Sequence, residues 1–145
     1  IDHGTFMLKA VREGLVDAAR SVQVGIRTEC ENADMIQHLS ARTCHTRGPD
    51  WVASRIKEIV DGGPVYVTFD IDALDPAFAP GTGTPVWGGL ASWQAAAILR
   101  DLAGIPMIGG DVVEVSPPYD PTGATAIAGA HVATELLCLY LWTKR

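Results

Sequence analysis

One stretch limits what this chain can fold into more than any other: Thr68-Phe-Asp-Ile-Asp-Ala-Leu-Asp-Pro76, followed by Ala77-Phe-Ala-Pro-Gly-Thr-Gly-Thr-Pro85. An apolar strand runs into it and ends on Asp70 and Asp72. Residues i and i+2 of a strand point to one face, so the spacing predicts two carboxylates side by side. Like charges that close repel unless a cation lies between them. The Pro/Gly/Thr-rich run after them can form neither helix nor regular strand and reads as a shaped loop. Acids at a strand end beside a stiff loop are how an α/β protein builds a cation site.

The rest of the chain is arranged as strands and helices around that stretch. Thr5 can cap a short helix through Phe6, Met7, Ala10 and Val11, closed by Gly14. Ser21-Val-Gln-Val-Gly-Ile-Arg27 reads as a strand. The segment from Thr28 to about Arg47 reads as polar and irregular, with one helical turn near Asp34–His38. Pro49 suits a first helical position, and Val52, Ile56, Ile59 and Val60 recur at helical spacing until Gly62-Gly63. Pro64 to Asp72 is the central strand. Ser92 caps a helix with Ala95, Ala96, Ile98, Leu99 and Leu102 inward, ending at Gly104, and Met107 to Val115 is a further strand. The last helix, from about Gly123 to Trp142, is apolar nearly all round and is expected to be well buried. Alternating strands and helices imply right-handed crossovers and a parallel sheet. Three strands leave edges and faces poorly covered, so a physical unit larger than this chain is expected, from further N-terminal sequence or tight oligomerisation.

A length of 145 residues and 48% apolar composition allow one packed domain. The net charge of −6 argues against nucleic acid and anionic membrane surfaces and is compatible with a cationic substrate. No apolar run approaching ~20 residues stands out, so no membrane span is expected. Cys30, Cys44 and Cys138 are widely spaced, without a Cys-x-x-Cys pair, and read as free buried thiols of a reducing compartment such as the cytoplasm.

Each candidate residue has two readings. Asp70 and Asp72 are either caps of the next loop or ligands of a hard ion such as Mn²⁺ or Mg²⁺, and Asp75 close behind favours the ion. Glu114, between Val113 and Val115, is either half of a salt bridge, with Arg27 as a candidate partner, or a carboxylate fork for a cationic group. Asp111, one pleat earlier, reads as structural. His3, in Asp-His-Gly-Thr, is either plain surface or a proton shuttle. Thr82 and Thr84 are turn residues, and their hydroxyls can also orient ligand carboxylates. His131 reads as a packed helix residue.

Four segments together resemble the ureohydrolase (arginase/agmatinase) superfamily, with the agmatinase branch nearest in flavour. They are Asp2-His-Gly-Thr5, Ser21 to Arg27, the run from Phe69 to Gly89, and Asp111-Val-Val-Glu-Val-Ser-Pro117. The resemblance implies a three-layer α/β/α sandwich with a parallel sheet, of which residues 1–145 look like the C-terminal part of a single domain. It implies a site holding two Mn²⁺ ions, with a hydroxide activated between them attacking a guanidinium carbon to give urea and an amine. Agmatine would give putrescine; a guanidinobutyrase-like activity is the alternative within the class, and a non-catalytic remnant is the alternative outside it. Carried over residue by residue, Asp70 and Asp72 match the family's metal-ligating Asp-x-Asp. Glu114 matches the guanidinium-binding carboxylate, and His3 the histidine that passes a proton to the leaving amine. Thr82 and Thr84 lie in the supporting loop. The family's further ligands, a His and an Asp-x-His-x-Asp cluster, fall upstream of Asp-His-Gly-Thr, and no Asp-x-His-x-Asp occurs in this chain. The isolated chain is therefore expected to be inactive, and the complete protein a trimer or hexamer.

Overall fold

The computed structural model describes residues 5–28 and 35–144. Five α-helices and four strands alternate along them: α1 Phe6–Arg12, β1 Val22–Ile26, β2 Gln37–Ser40, α2 Ala41–Arg47, α3 Pro49–Val60, β3 Val65–Asp70, α4 Ser92–Asp101, β4 Met107–Val113 and α5 Ala124–Trp142. All strand pairing within these elements is parallel, β1 with β2 and β3 with β4. An isolated parallel bridge joins Leu74 to Leu90. This is the expected α/β organisation, with local signals matching the observed ends. Pro49 stands at the first position of α3. Asp61 ends that helix in the left-handed region at φ 47°. Thr5 precedes α1, without a capping bond from its side chain.

Most of the buried core forms one cluster. Val52, Ala53, Ile56 and Val60 of α3 meet Ala95, Ile98, Leu99 and Leu102 of α4, and Val132, Leu136 and Leu139 of α5 continue it. Val65, Val67 and Phe69 of β3 and Val112 of β4 pack against this cluster from one face of their ribbon. The opposite face carries Tyr66, Thr68 and Asp70 in register with Gly109, Asp111 and Val113. There Tyr66 is 57% exposed, and the hydroxyls of Tyr66 and Thr68 donate to the two oxygens of Asp111, at 2.8 and 2.7 Å.

The structure departs from the sequence expectations in several places. The cap position of α4 is Ala91, with Ser92 the first helical residue, and of the described thiols Cys44 is buried but Cys138 is exposed. The polar segment before Arg47 is ordered where it is described: Gln37–Ser40 pairs with β1, and Ser40 Oγ accepts from Thr43 N to start α2. Only Leu39 of β2 is buried, so tertiary pairing rather than hydrophobic alternation makes this strand. The central strand stops at Asp70, and Ile71–Ala73 is a 3₁₀ turn. Helix α5 is not well buried. Thr125, Gly129, Val132, Leu136 and Leu139 form one buried stripe, whereas Ile127, Leu137, Leu141 and Trp142 are at least half exposed. By length and composition alone α5, with 19 residues and mean hydropathy 1.4, could cross a membrane, contrary to the expectation of no such run; its buried stripe against β4 and α4 marks it as a packing helix. His131, on the bare side of α5, is exposed rather than packed, 3.7 Å from Glu135.

Candidate active site

The site is built at the end of β3 and just past the end of β4. Asp70 is the last residue of β3, and its Oδ1 accepts the amide of Asp72 at 3.0 Å. That bond turns the chain, so Asp72 lies in the 3₁₀ turn and not one pleat along a strand. A turn rather than strand alternation therefore brings Asp72 to Asp70, which corrects the expected i, i+2 pairing, although the carboxylates do end up together. Burial, then the like charges of Asp72 and Glu114, push the Asp70 carboxyl up to about 6. Asp70 therefore holds a proton more tightly than an ordinary carboxyl does.

Glu114 is the residue after the last pair of the ribbon and has φ 64°, one of two described non-glycine residues in the left-handed region. A left-handed residue costs roughly 1–2 kcal/mol relative to its right-handed form. The turn re-aims the side chain off the strand, and its carboxylate reaches the loop. A β-carbon built on Gly83 would lie 3.7 Å from Glu114 Oε2. The guanidinium of Arg27, on sequence grounds a candidate salt-bridge partner for Glu114, donates to backbone carbonyls: Val86 at 2.6 and 3.0 Å, Asp72 at 2.7 Å and Gly25 at 3.3 Å.

The loop from Leu74 to Leu90 folds back on itself. Asp75 takes the amides of Ala77, Gly88 and Gly89, and these bonds, that of Ala77 first, hold its carboxyl below the usual range. Asp75 is thereby a loop-closing residue, and its nearness in sequence to Asp72 carries no ligand role here. Gly89 passes so close to Asp75 and Leu74 that a β-carbon there would meet Asp75 N at 2.5 Å. Thr84 Oγ1 donates to Asp72 Oδ2 at 3.0 Å, as expected of a hydroxyl orienting a ligand carboxylate. Thr82 is 3% exposed, and its hydroxyl has no hydrogen-bond partner among the described residues, an orphan of the sort that awaits a ligand or water.

The structure therefore brings together Asp70, Asp72, Glu114 and Thr84, with Thr82 in the same loop. His3 lies outside the described residues. Among the described residues no three His, Cys, Asp or Glu side chains converge as a metal site. The paired carboxylates and the all-oxygen donor set fit a hard divalent cation in chemistry, but as part of a ligand set. Sequence reasoning missed Arg27 as the strut beneath Asp72, and it missed Asp120, buried at 4% exposure on the loop before α5. An arginine closing a strand and an Asp-Pro-Thr-Gly turn were the available signals.

A sequence model of the Arginase family matches residues 1–138. Agmatinase from Chromobacterium violaceum is 52% identical over 139 residues, covering 96% of this chain and 43% of that protein. Agmatinase from Proteus mirabilis is 52% identical, covering 95% of this chain and 45% of its own length. Among solved structures, a hypothetical agmatinase from Burkholderia thailandensis superposes with a TM-score of 0.93 at 57% identity, covering 96% of this chain and 44% of the other. Proclavaminate amidino hydrolase from Streptomyces clavuligerus does so with a TM-score of 0.93 at 42% identity, covering 97% and 48%. The chain thus spans a little under half the length of these relatives. With the family's sequence pattern running along residues 1–138, and the acidic strand ends and folded-back loop in place, the chain belongs to the arginase family.

Proposed function

We propose that these residues form the C-terminal half of an agmatinase-like ureohydrolase of the cytoplasm, which hydrolyses agmatine to urea and putrescine. The observation that carries the reading is the gathering of Asp70, Asp72 and Glu114 at the ends of two paired parallel strands. Asp70 and Asp72 hold part of a two-Mn²⁺ site, and the remaining ligands come from outside this chain. Such ions lower the pKa of water and supply a nucleophile near neutral pH. Glu114 presents its two oxygens to the guanidinium, a planar donor that matches a carboxylate bidentately. The fixed left-handed turn at Glu114 aims the carboxylate before substrate arrives. Thr84, by holding Asp72 Oδ2, keeps that carboxylate in one orientation. Water adds to the guanidinium carbon, the carbon–nitrogen bond to the alkyl chain breaks, and the leaving amine takes a proton from His3. The net charge of −6 suits a dication, and the complete protein is a homo-oligomer.

The test is urea release from agmatine, guanidinobutyrate and arginine with added Mn²⁺. It compares the chain alone with the chain joined to the upstream half of the Chromobacterium violaceum relative. The joined protein is expected to turn over agmatine fastest, and the chain alone not at all. Preference for guanidinobutyrate would favour the second reading, a different amidino hydrolase. No turnover of any guanidino compound by the joined protein would leave a non-catalytic member of the family. In the joined protein, Glu114→Gln is expected to keep its Mn²⁺ and to lose about tenfold or more in kcat/KM, the scale of one charged hydrogen bond. Unchanged kinetics would remove the fork role.

A further inference from the structure

Asp120 is a carboxylate almost wholly removed from water, and no cation pairs with it among the described residues. It is satisfied instead by four donors. Thr122 N and Thr122 Oγ1 reach Oδ1 at 3.0 and 2.5 Å, and Thr125 N and Thr125 Oγ1 reach Oδ2 at 2.7 and 2.8 Å. These bonds, that of the Thr122 hydroxyl first, hold its carboxyl well below the usual range, so it stays ionised. Thr125 is fully buried, and its hydroxyl oxygen also accepts the amide of Gly81 at 2.8 Å. The carbonyl of Gly81 in turn accepts Ser116 N at 2.7 Å. Nothing larger than glycine fits at Gly81, since a β-carbon would meet Asp120 Cβ at 2.7 Å. The start of the loop carrying Thr82 and Thr84 is therefore clamped, through both backbone groups of one residue, to the segment just after Glu114.

A hydroxyl has one proton to donate. If Thr125 Oγ1 gives that proton to Asp120, its lone pairs are left for Gly81 N–H. Without the carboxylate the hydroxyl is free to rotate, and a donor can face a donor. We propose that Asp120 is a positioning residue: by holding the proton of Thr125 Oγ1 it makes that oxygen an acceptor for Gly81, and so sets the Thr82–Thr84 loop against Glu114 and Asp72. The role is distinct from capping α5, which Thr125 N alone would satisfy. It rests on the reading of Asp72 and Glu114 as site residues, but its geometry can be tested without metal or substrate.

The experiment uses the isotopically labelled chain with Thr125→Val, Thr125→Ser and Asp120→Asn. In the parent a through-space contact between Gly83 Hα and Glu114 Hγ is expected, together with slow amide exchange at Gly81. Thr125→Val keeps shape and removes the hydroxyl. It should abolish the Gly83–Glu114 contact and speed Gly81 exchange by about tenfold or more. Thr125→Ser should restore both. Asp120→Asn, close in size, should reproduce the Thr125→Val result and serves in its place if valine prevents folding. A Gly83–Glu114 contact that persists in folded Thr125→Val or Asp120→Asn, or that is missing from the parent, overturns the proposal. A purely structural role would lower stability in both valine and serine variants without this pattern. Mn²⁺-induced broadening at Asp70 and Asp72 is measured separately. Its absence in the chain joined to the upstream half of the Chromobacterium violaceum relative would count against the metal reading and leave the clamp result standing.

Discussion

At the scale of the residue, Glu114 and Asp70 both hold unfavourable states that the fold imposes. Glu114 is a β-carbon-bearing residue in left-handed backbone. Comparing Glu114→Gly with Glu114→Ala cancels the side-chain contacts and isolates the backbone, and the glycine variant is expected to be the more stable by about 1 kcal/mol in denaturant unfolding. Equal stability would mean that the turn carries no strain. Asp70 has its carboxyl raised to about 6 when folded, against an ordinary value near 4 when unfolded. Below about pH 4 both states hold the proton and its contribution is complete. Between about pH 4 and pH 6 the unfolded chain releases the proton first, so this contribution to stability falls as pH rises, and above about pH 6 it is level. Since Asp70 is only half-buried, solvent screening reduces the change to about 1–2 kcal/mol. Unfolding measured in EDTA should show it as a pH-dependent difference between the parent chain and Asp70→Asn. A constant difference across that range would mean that Asp70 titrates normally.

At the scale of the element, the loop from Leu74 to Leu90 is held from both sides, by the Asp120–Thr125–Gly81 clamp and by Arg27 at the end of β1. Lysine cannot reproduce a planar fork bridging the carbonyls of Asp72 and Val86. Arg27→Lys is therefore expected to cost about 2 kcal/mol in chemical denaturation, and a loss under about 0.5 kcal/mol would mean that the strut is dispensable. These contacts explain which elements could be read in advance. Helices α3 and α4 carry apolar residues at helical spacing that pack on each other, so local pattern and tertiary need coincide. Strand β2 and helix α2 carry no such pattern. They exist because Leu39 is buried beside Val24 of β1, and because Ser40 caps α2. Asp72 was legible as a carboxylate beside Asp70 but not as a turn residue, because the bond from its amide to Asp70 is a local choice that alternation does not encode.

At the scale of the whole molecule, the core is one-sided. Helix α5 turns Ile127, Leu137, Leu141 and Trp142 away from its buried stripe, and the outer face of the β3–β4 ribbon leaves Tyr66 exposed, with Ile108 bare nearby. Apolar area of this kind on an isolated chain binds hydrophobic dyes and promotes association. The 145-residue chain is expected to enhance the fluorescence of an apolar dye and to associate with rising concentration. Leu137→Glu should reduce both while changing unfolding free energy by no more than about 0.5 kcal/mol. A monomeric parent with no dye response would show that these side chains are covered in solution.

The sequence by itself determined the α/β class, the parallel pairing implied by alternation, the boundaries of the strongly patterned helices, and the acidic stretch with its stiff loop. Each of these stems from covalent chemistry or local periodicity. Only the tertiary structure decided the rest. It put Asp72 in a turn and Glu114 in left-handed backbone, and assigned Arg27 to carbonyls rather than to Glu114. It joined Gly81 to a buried threonine far along the chain and left half of α5 bare. Those outcomes depend on which distant groups arrive within hydrogen-bond range and on which apolar faces find a partner, and a local pattern encodes neither.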